Sequence, residues 1–265
     1  MDTAIVVFDI DGVIRDVGGS YRRAIADTVE HFTQAAYRPT SADIDRLKSE
    51  GLWNNDWEAS QELIYRYFEG QNQPRTQLHL DYEALVAFFQ DRYRGPDPHH
   101  WTGYICSEPL LLHASYLDSL TQAGMAWGFF SGAMRDEAKY VLEGKLGLQP
   151  PSLVAMEDAP GKPDPTGLLR VVEELERLHQ FPMATPVIYV GDTVADLYTV
   201  EKARKLQPFR LWVGVGILPP HVQETQTRCQ AYAATLQAAG ASVVFANVQE
   251  LTPTEIKELL NKPSP

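Results

Sequence analysis

Cysteine is scarce in this chain: Cys106 and Cys229 are the only 2 among 265 residues. They stand too far apart to form a metal-spaced cluster, and such sparse usage suits a reducing compartment with two buried thiols. Long apolar runs are missing too. The first run stops at Asp9 and has no basic region before it, unlike a secretory leader. No stretch approaches the ~20 apolar residues that span a bilayer. Positive charge is in deficit: 23 Lys and Arg against 35 Asp and Glu leave a formal net charge of -12. Nucleic acid and anionic membranes are polyanions, so this balance disfavours both as partners. The expectation is a cytoplasmic protein that meets neither.

What the chain does have is a set of short apolar runs. They are Ala4 to Phe8, Met125 to Phe130, Ser152 to Met156, Val187 to Val190, Phe209 to Val213 and Ser242 to Ala246. Each is rich in β-branched or aromatic residues and bounded by Gly, Pro or Asp, as buried strands of a parallel sheet are. From Pro109 onward, helical patterns separate them. "DPTGLLRVVEELERLHQ" sets Leu168, Val172, Leu175 and Leu178 on one stripe behind Pro165, and "PTEIKELL" closes the chain with a short helix. The alternation predicts an α/β fold, a doubly wound (Rossmann-like) parallel sheet. One interval breaks it. The stretch 16–108 is too long for a crossover and reads as helical: Tyr21, Ile25, Val29 and Phe32 recur at helical spacing, "TSADIDRLKSE" has a cap-like start, and "WEASQELIYRYFEG" and "YEALVAFFQDRY" are amphipathic. The predicted organisation is therefore a core domain of 1–15 and 109–265 interrupted by an inserted helical domain of 16–108.

Four short motifs fall at the ends of predicted strands. The first is "DIDGV", where Asp9 and Asp11 lie two apart and would project to the same side. Their repulsion rises out of water, so a turn or a cation would have to account for them. An EF-hand calcium loop is excluded, because Val13 stands where a third oxygen ligand belongs. The second is "FFSGAMRD", in which Ser131 and the Gly132 N–H precede a helix and could hold an anion. The third is "PGKPDP", where Gly161 and Pro163 stiffen the backbone around Lys162. The fourth is "VIYVGDTVAD", a strand running into Asp192, with Asp196 on the first helical turn. Each alone is an ordinary turn, cap or solvated lysine. Together they sit where parallel sheets bind ligands. Asp9, Asp11 and Asp192 offer hard oxygens suited to Mg²⁺, and Ser131, Gly132 and Lys162 suit phosphate. A set of this kind provides the in-line positioning and charge neutralisation that phosphoryl transfer needs.

In order and spacing, "DIDGVIRD", "FFSGA", "GKPDP" and "GDTVAD" resemble the four motifs of the haloacid dehalogenase superfamily, in the branch with a helical cap inserted after the first motif. The resemblance implies that Asp9 attacks phosphorus to give an aspartyl-phosphate. It implies that Asp11 protonates the leaving oxygen and then activates water. Ser131 and Lys162 would bind phosphate, and Mg²⁺ would be held by Asp9, the Asp11 carbonyl and Asp192, with Asp196 in support. Relatives that cleave carbon–halogen bonds lack the second aspartate, so its presence favours a phosphatase acting on a small phosphorylated metabolite. A phosphomutase of the β-phosphoglucomutase type shares both aspartates and remains an alternative, as does a non-catalytic binding protein on the same scaffold.

The inserted domain holds the candidates for substrate choice. In "GLWNNDWEAS", Gly51 permits a turn, Trp53 and Trp57 offer flat apolar faces, and Asn54 and Asn55 offer hydrogen bonds. A helix N-cap flanked by core tryptophans is the plainer reading of the same residues. Arg22 and Arg23 could meet an anionic substrate or face solvent. His99 and His100 are adjacent and cannot easily face one ion, so "HHWTGY" reads as loop. "VGVGILPP" lacks the third glycine of a dinucleotide loop and is set aside.

Overall fold

The computed structural model describes residues 3–261. The chain divides into two compact units, one of residues 1–16 and 110–265 and the other of residues 17–109.

The larger unit is built on six parallel strands: β1 (Ile5–Phe8), β2 (Ala126–Phe130), β3 (Leu153–Val154), β4 (Val187–Gly191), β5 (Trp212–Ile217) and β6 (Val243–Phe245). Their spatial order is β3-β2-β1-β4-β5-β6, so β1 is central and the order reverses beside it. The two-residue period of β1 decides which helices it meets. Val6 and Phe8 face one apolar cluster with Leu117, Leu120, Ile256 and Leu259; Ile5 and Val7 face another with Leu168, Val171, Val172 and Leu175. Both faces are thus covered, as an all-parallel sheet requires.

The smaller unit contains α1 (Tyr21–Phe32), α2 (Ser41–Lys48), α3 (Asp56–Gly70) and α4 (Tyr82–Tyr93), with α1 packed against α3 and α4. Helix α2 starts at a reciprocal cap between Thr40 and Asp43, the signal legible in "TSADIDRLKSE". The remaining helices belong to the larger unit: α5 (Ala114–Gln122), α6 (Arg135–Lys139), α7 (Thr166–His179), α8 (Val194–Leu206), α9 (Gln226–Ala238) and α10 (Pro253–Asn261).

The six strands fall on or beside the six apolar runs, with one displacement. The fifth run, Phe209 to Val213, is replaced by β5 at Trp212–Ile217, and Phe209 lies exposed. The strand takes in the glycines of "VGVG" because helices press close there. A Cβ on Gly214 would meet Leu197 of α8 at 3.1 Å, and one on Gly216 would meet Leu236 of α9 at 3.0 Å. On α7 the stripe runs through Leu168, Val171, Val172 and Leu175; Leu178 is exposed, because the helix ends one residue later. Helix α9 escaped the sequence reading because its apolar residues gather on no stripe, and only Leu236 is buried.

Candidate active site

The strand order assembles the four motifs. Because β1 lies between β2 and β4, its end at Asp9 is flanked by Ser131 beyond β2 and Asp192 beyond β4. The Asp9 N–H donates to Val190 O at 2.8 Å and continues the ladder one residue past β1. The Ser131 N–H does the same to Val154 O at 3.0 Å. Asp9, Ser131, Lys162, Asp192 and Asp196 are all buried.

Three carboxylates, those of Asp9, Asp192 and Asp196, have oxygens within 4.8 Å of one another. Lys162 Nζ lies among them, 2.8 Å from Asp9 Oδ1 and 2.7 Å from Asp196 Oδ1. Each carboxylate is held differently. Asp9 Oδ1 also accepts the Ile10 N–H at 2.8 Å. Asp196 is saturated: Oδ1 takes Lys162 and the Tyr189 hydroxyl at 3.0 Å, and Oδ2 takes the Thr193 N–H at 3.0 Å and hydroxyl at 2.6 Å. This is the reciprocal cap of α8, turned toward the cluster. Among the described residues, no hydrogen bond engages the Asp192 carboxylate. Gly12, at φ +74°, lies so close to it that a Cβ there would collide with the Asp192 side chain.

Burial is the largest cause that raises the Asp9 carboxyl, to about 7; Lys162 opposes it, and the Asp196 and Asp11 carboxylates add to it. Asp192 is pushed well above the usual carboxylate range, by burial first and then by Asp196 and Asp9. Lys162 stays protonated: burial lowers its ammonium, but Asp196 and Asp9 outweigh this and raise it. A single lysine thus serves several buried carboxylates. Hard oxygen ligands in this number, that of Asp192 without a hydrogen-bond donor among the described residues, fit a divalent cation. A unit charge pair at about 4 Å is worth about 4 kcal/mol at an effective dielectric of roughly 20, so a doubly charged ion there would govern the local field.

The remaining motif residues are placed as follows. Ser131 Oγ accepts the Ala133 N–H at 3.1 Å, and the turn leads into the five-residue α6. Asp11, one fifth exposed, pairs with fully buried Arg15, whose Nε donates to Asp11 Oδ1 at 2.6 Å. Gly161 and Pro163 flank Lys162, and the Lys162–Pro163 peptide is cis. The sequence reading missed Arg15, Thr193 and Tyr189. A buried tyrosine hydroxyl usually finds a partner, so the inward Tyr189 of "VIYVGD" carried a signal. Its hydroxyl reaches both Asp196 Oδ1 and Phe130 O.

The candidates in the smaller unit are engaged locally. Asn55 caps α3, accepting the N–H of Trp57 and Glu58. Trp53 and Trp57 are half-buried rather than core, and Trp53 Nε1 donates to Glu50 at 2.7 Å. The Asn54 carbonyl accepts Lys48 Nζ at 3.3 Å. Arg22 is buried rather than facing solvent, pairing with Asp45 and donating to Ser41 O. The Arg23 guanidinium lies over the Tyr104 ring at 4.2 Å. Asp97 accepts the N–H of His99 and of His100, which makes "HHWTGY" a loop. No helix among the described residues is long and apolar enough to cross a membrane.

Comparison with known proteins agrees with this arrangement. The chain is similar to an imidazoleglycerol-phosphate dehydratase of Phytophthora nicotianae, with 32% identity over 249 residues. The match covers 91% of this chain and 49% of that protein, so the chain spans about half the length of this relative. Among solved structures, it resembles the phosphatase Tt82 from Thermococcus thioreducens at TM-score 0.61 and 24% identity, covering 80% of this chain and 92% of the other. It also resembles a phosphonoacetaldehyde hydrolase-like protein from Oleispira antarctica at TM-score 0.69 and 17% identity, covering 99% and 95%. At these identities the two structures speak for the fold. The family model for haloacid dehalogenase-like hydrolases matches residues 3–204, with all four motifs inside it, and the chain belongs to that family.

Proposed function

We propose that the protein is a Mg²⁺-dependent phosphatase that hydrolyses the phosphate monoester of a small metabolite through an aspartyl-phosphate on Asp9. The observation that carries this reading is the buried set of Asp9, Asp192, Asp196 and Lys162 at adjacent strand ends, with Asp11 two residues beyond Asp9.

A Mg²⁺ ion held by Asp9, the Asp11 carbonyl and Asp192 would supply the positive charge that keeps these carboxylates ionised and draws in a phosphate. In the first half-reaction the Asp9 carboxylate forms a bond to phosphorus as the ester P–O bond breaks. The proton of the Asp11 carboxylic acid passes to the leaving oxygen, which departs as an alcohol. In the second, water gives a proton to the Asp11 carboxylate and its oxygen attacks phosphorus. The Asp9–phosphorus bond breaks, releasing inorganic phosphate and restoring both carboxyl groups. Lys162 and Ser131, with the Gly132 N–H, bind the phosphate oxygens through both halves. Asp196 supports the site indirectly: four donors occupy it, so it anchors Lys162 instead of contacting substrate.

The test is a phosphate-release screen over metabolite monoesters with Mg²⁺. The relative of twice the length is named for an imidazoleglycerol phosphate, so imidazole-bearing phosphate monoesters enter the panel first. Release that depends on Mg²⁺ supports the reading. Conversion of a sugar phosphate into its isomer with little free phosphate replaces it with the mutase, and tight binding without turnover replaces it with the binding protein.

A further inference from the structure

Arg15 occupies a position where an apolar residue would ordinarily suffice. It is fully buried, and a guanidinium out of water is costly unless paired, whereas Met or Leu would fill the same volume without an electrostatic penalty. Its Nε donates to Asp11 Oδ1 at 2.6 Å. The backbone around the pair is tightly determined. Ile10 O accepts the N–H of Val13, Ile14 and Arg15, at 3.3, 2.7 and 3.2 Å. The Gly12 N–H returns to Arg15 O at 2.9 Å, and Gly12 itself sits at φ +74°. On its other side Arg15 forms an antiparallel bridge to Leu110, and the Leu111 N–H donates to Ile14 O at 2.8 Å. The arginine is therefore clamped by main chain on two sides while its side chain reaches back to Asp11.

We propose that Arg15 is a positioning residue: its Nε holds Asp11 Oδ1, so that the other carboxyl oxygen is presented for proton transfer. This rests on the phosphatase reading. A free aspartate rotates about two bonds, and proton transfer demands hydrogen-bond reach to the leaving oxygen and later to water. Fixing one oxygen confines both bonds, and a charge-assisted hydrogen bond does this more strongly than a neutral one. Arg15 exchanges no proton with the substrate and bears on the chemistry through its bond to Asp11.

The experiment compares two probes that differ in how much they need a general acid. The glycerol of β-glycerol phosphate would be a strongly basic alkoxide and needs a proton to leave as an alcohol; the p-nitrophenolate of p-nitrophenyl phosphate is stabilised and needs little. In Arg15→Met, kcat on β-glycerol phosphate should fall about 30-fold and kcat on p-nitrophenyl phosphate about threefold, with KM moving less than about twofold. Arg15→Lys should recover most of the difference. In an Asp11→Asn background, Arg15→Met should add little, because residues that act as one unit are not additive. Should Arg15→Met fail to fold, Arg15→Lys and Arg15→Gln carry the same two-probe comparison. Equal losses on both probes, or full additivity with Asp11→Asn, would overturn the role of Arg15 while leaving the phosphatase intact. A wild-type enzyme that releases phosphate from no ester in the screen would overturn both.

Discussion

The end of β1 and the loop before α3 are built from similar materials and use them in opposite ways. Each is a chain corner with acidic side chains and a glycine at positive φ, Gly12 in one and Gly51 in the other. Before α3, the polar groups are satisfied within a few residues: Asn55 by two N–H groups of its own helix, Asp56 by Lys48, and Trp53 by Glu50. At Asp9, apart from the Ile10 N–H, the charged neighbours come from far along the chain. Lys162, Asp192 and Asp196 reach it only because β1 lies between β2 and β4. Local satisfaction marks a structural corner. Convergence of buried, mutually repelling carboxylates from distant segments makes a cluster whose repulsion a bound cation would offset.

The sharpest way to break this contrast is Asp9→Asn. The side chain keeps its volume and loses the carboxylate proposed to attack phosphorus, so turnover should fall on the order of 10⁴-fold or more, with circular dichroism unchanged. Substantial residual phosphate release would remove Asp9 as the attacking group.

A second effect follows from the raised carboxyls. Without a bound cation, folded Asp9 holds its proton up to about pH 7, whereas the unfolded chain releases it near 3.8. Between those values the native state binds more protons, so its contribution to stability is lost as pH rises through that window. A divalent cation competes with the proton for these oxygens. Mg²⁺ should therefore raise Tm more at pH 8 than at pH 5, as read by thermal unfolding with and without the ion. A larger gain at pH 5 would mean that the carboxylates do not hold it.

The smallest expected effect belongs to the other corner. Asn55→Ala removes the α3 cap and should cost about 1 kcal/mol in chemical denaturation. A rise in KM beyond that loss would show that Asn55 also touches substrate, and the contrast between the corners would soften.

Much of the core was legible because its signals are local. The apolar runs from Ala4, Met125 and Val187 end at Asp9, Ser131 and Asp192 with little ambiguity, since a parallel strand covered on both faces leaves a dense apolar trace. β5 was misplaced because Gly214 and Gly216 carry no such trace: their value lies in the approach of α8 and α9. Arg22 read as a group for an anionic substrate or for solvent because its partner Asp45 lies 23 positions away on another helix. Arg15 was passed over inside a motif because nothing in "DGVIRD" says that its side chain turns back to Asp11.

The amino-acid order alone was enough to place the ends of β1, β2 and β4, the residue types just beyond them and the family. Those depend on periodicity and on short motifs, which are properties of neighbouring residues. How the charges are shared was settled by the fold in three dimensions: Lys162 between Asp9 and Asp196, Asp196 saturated, the Asp192 carboxylate without a hydrogen bond among the described residues, and the Arg15 Nε paired with Asp11. Distance and burial govern electrostatic energy, and neither is set until the sheet brings the strand ends together.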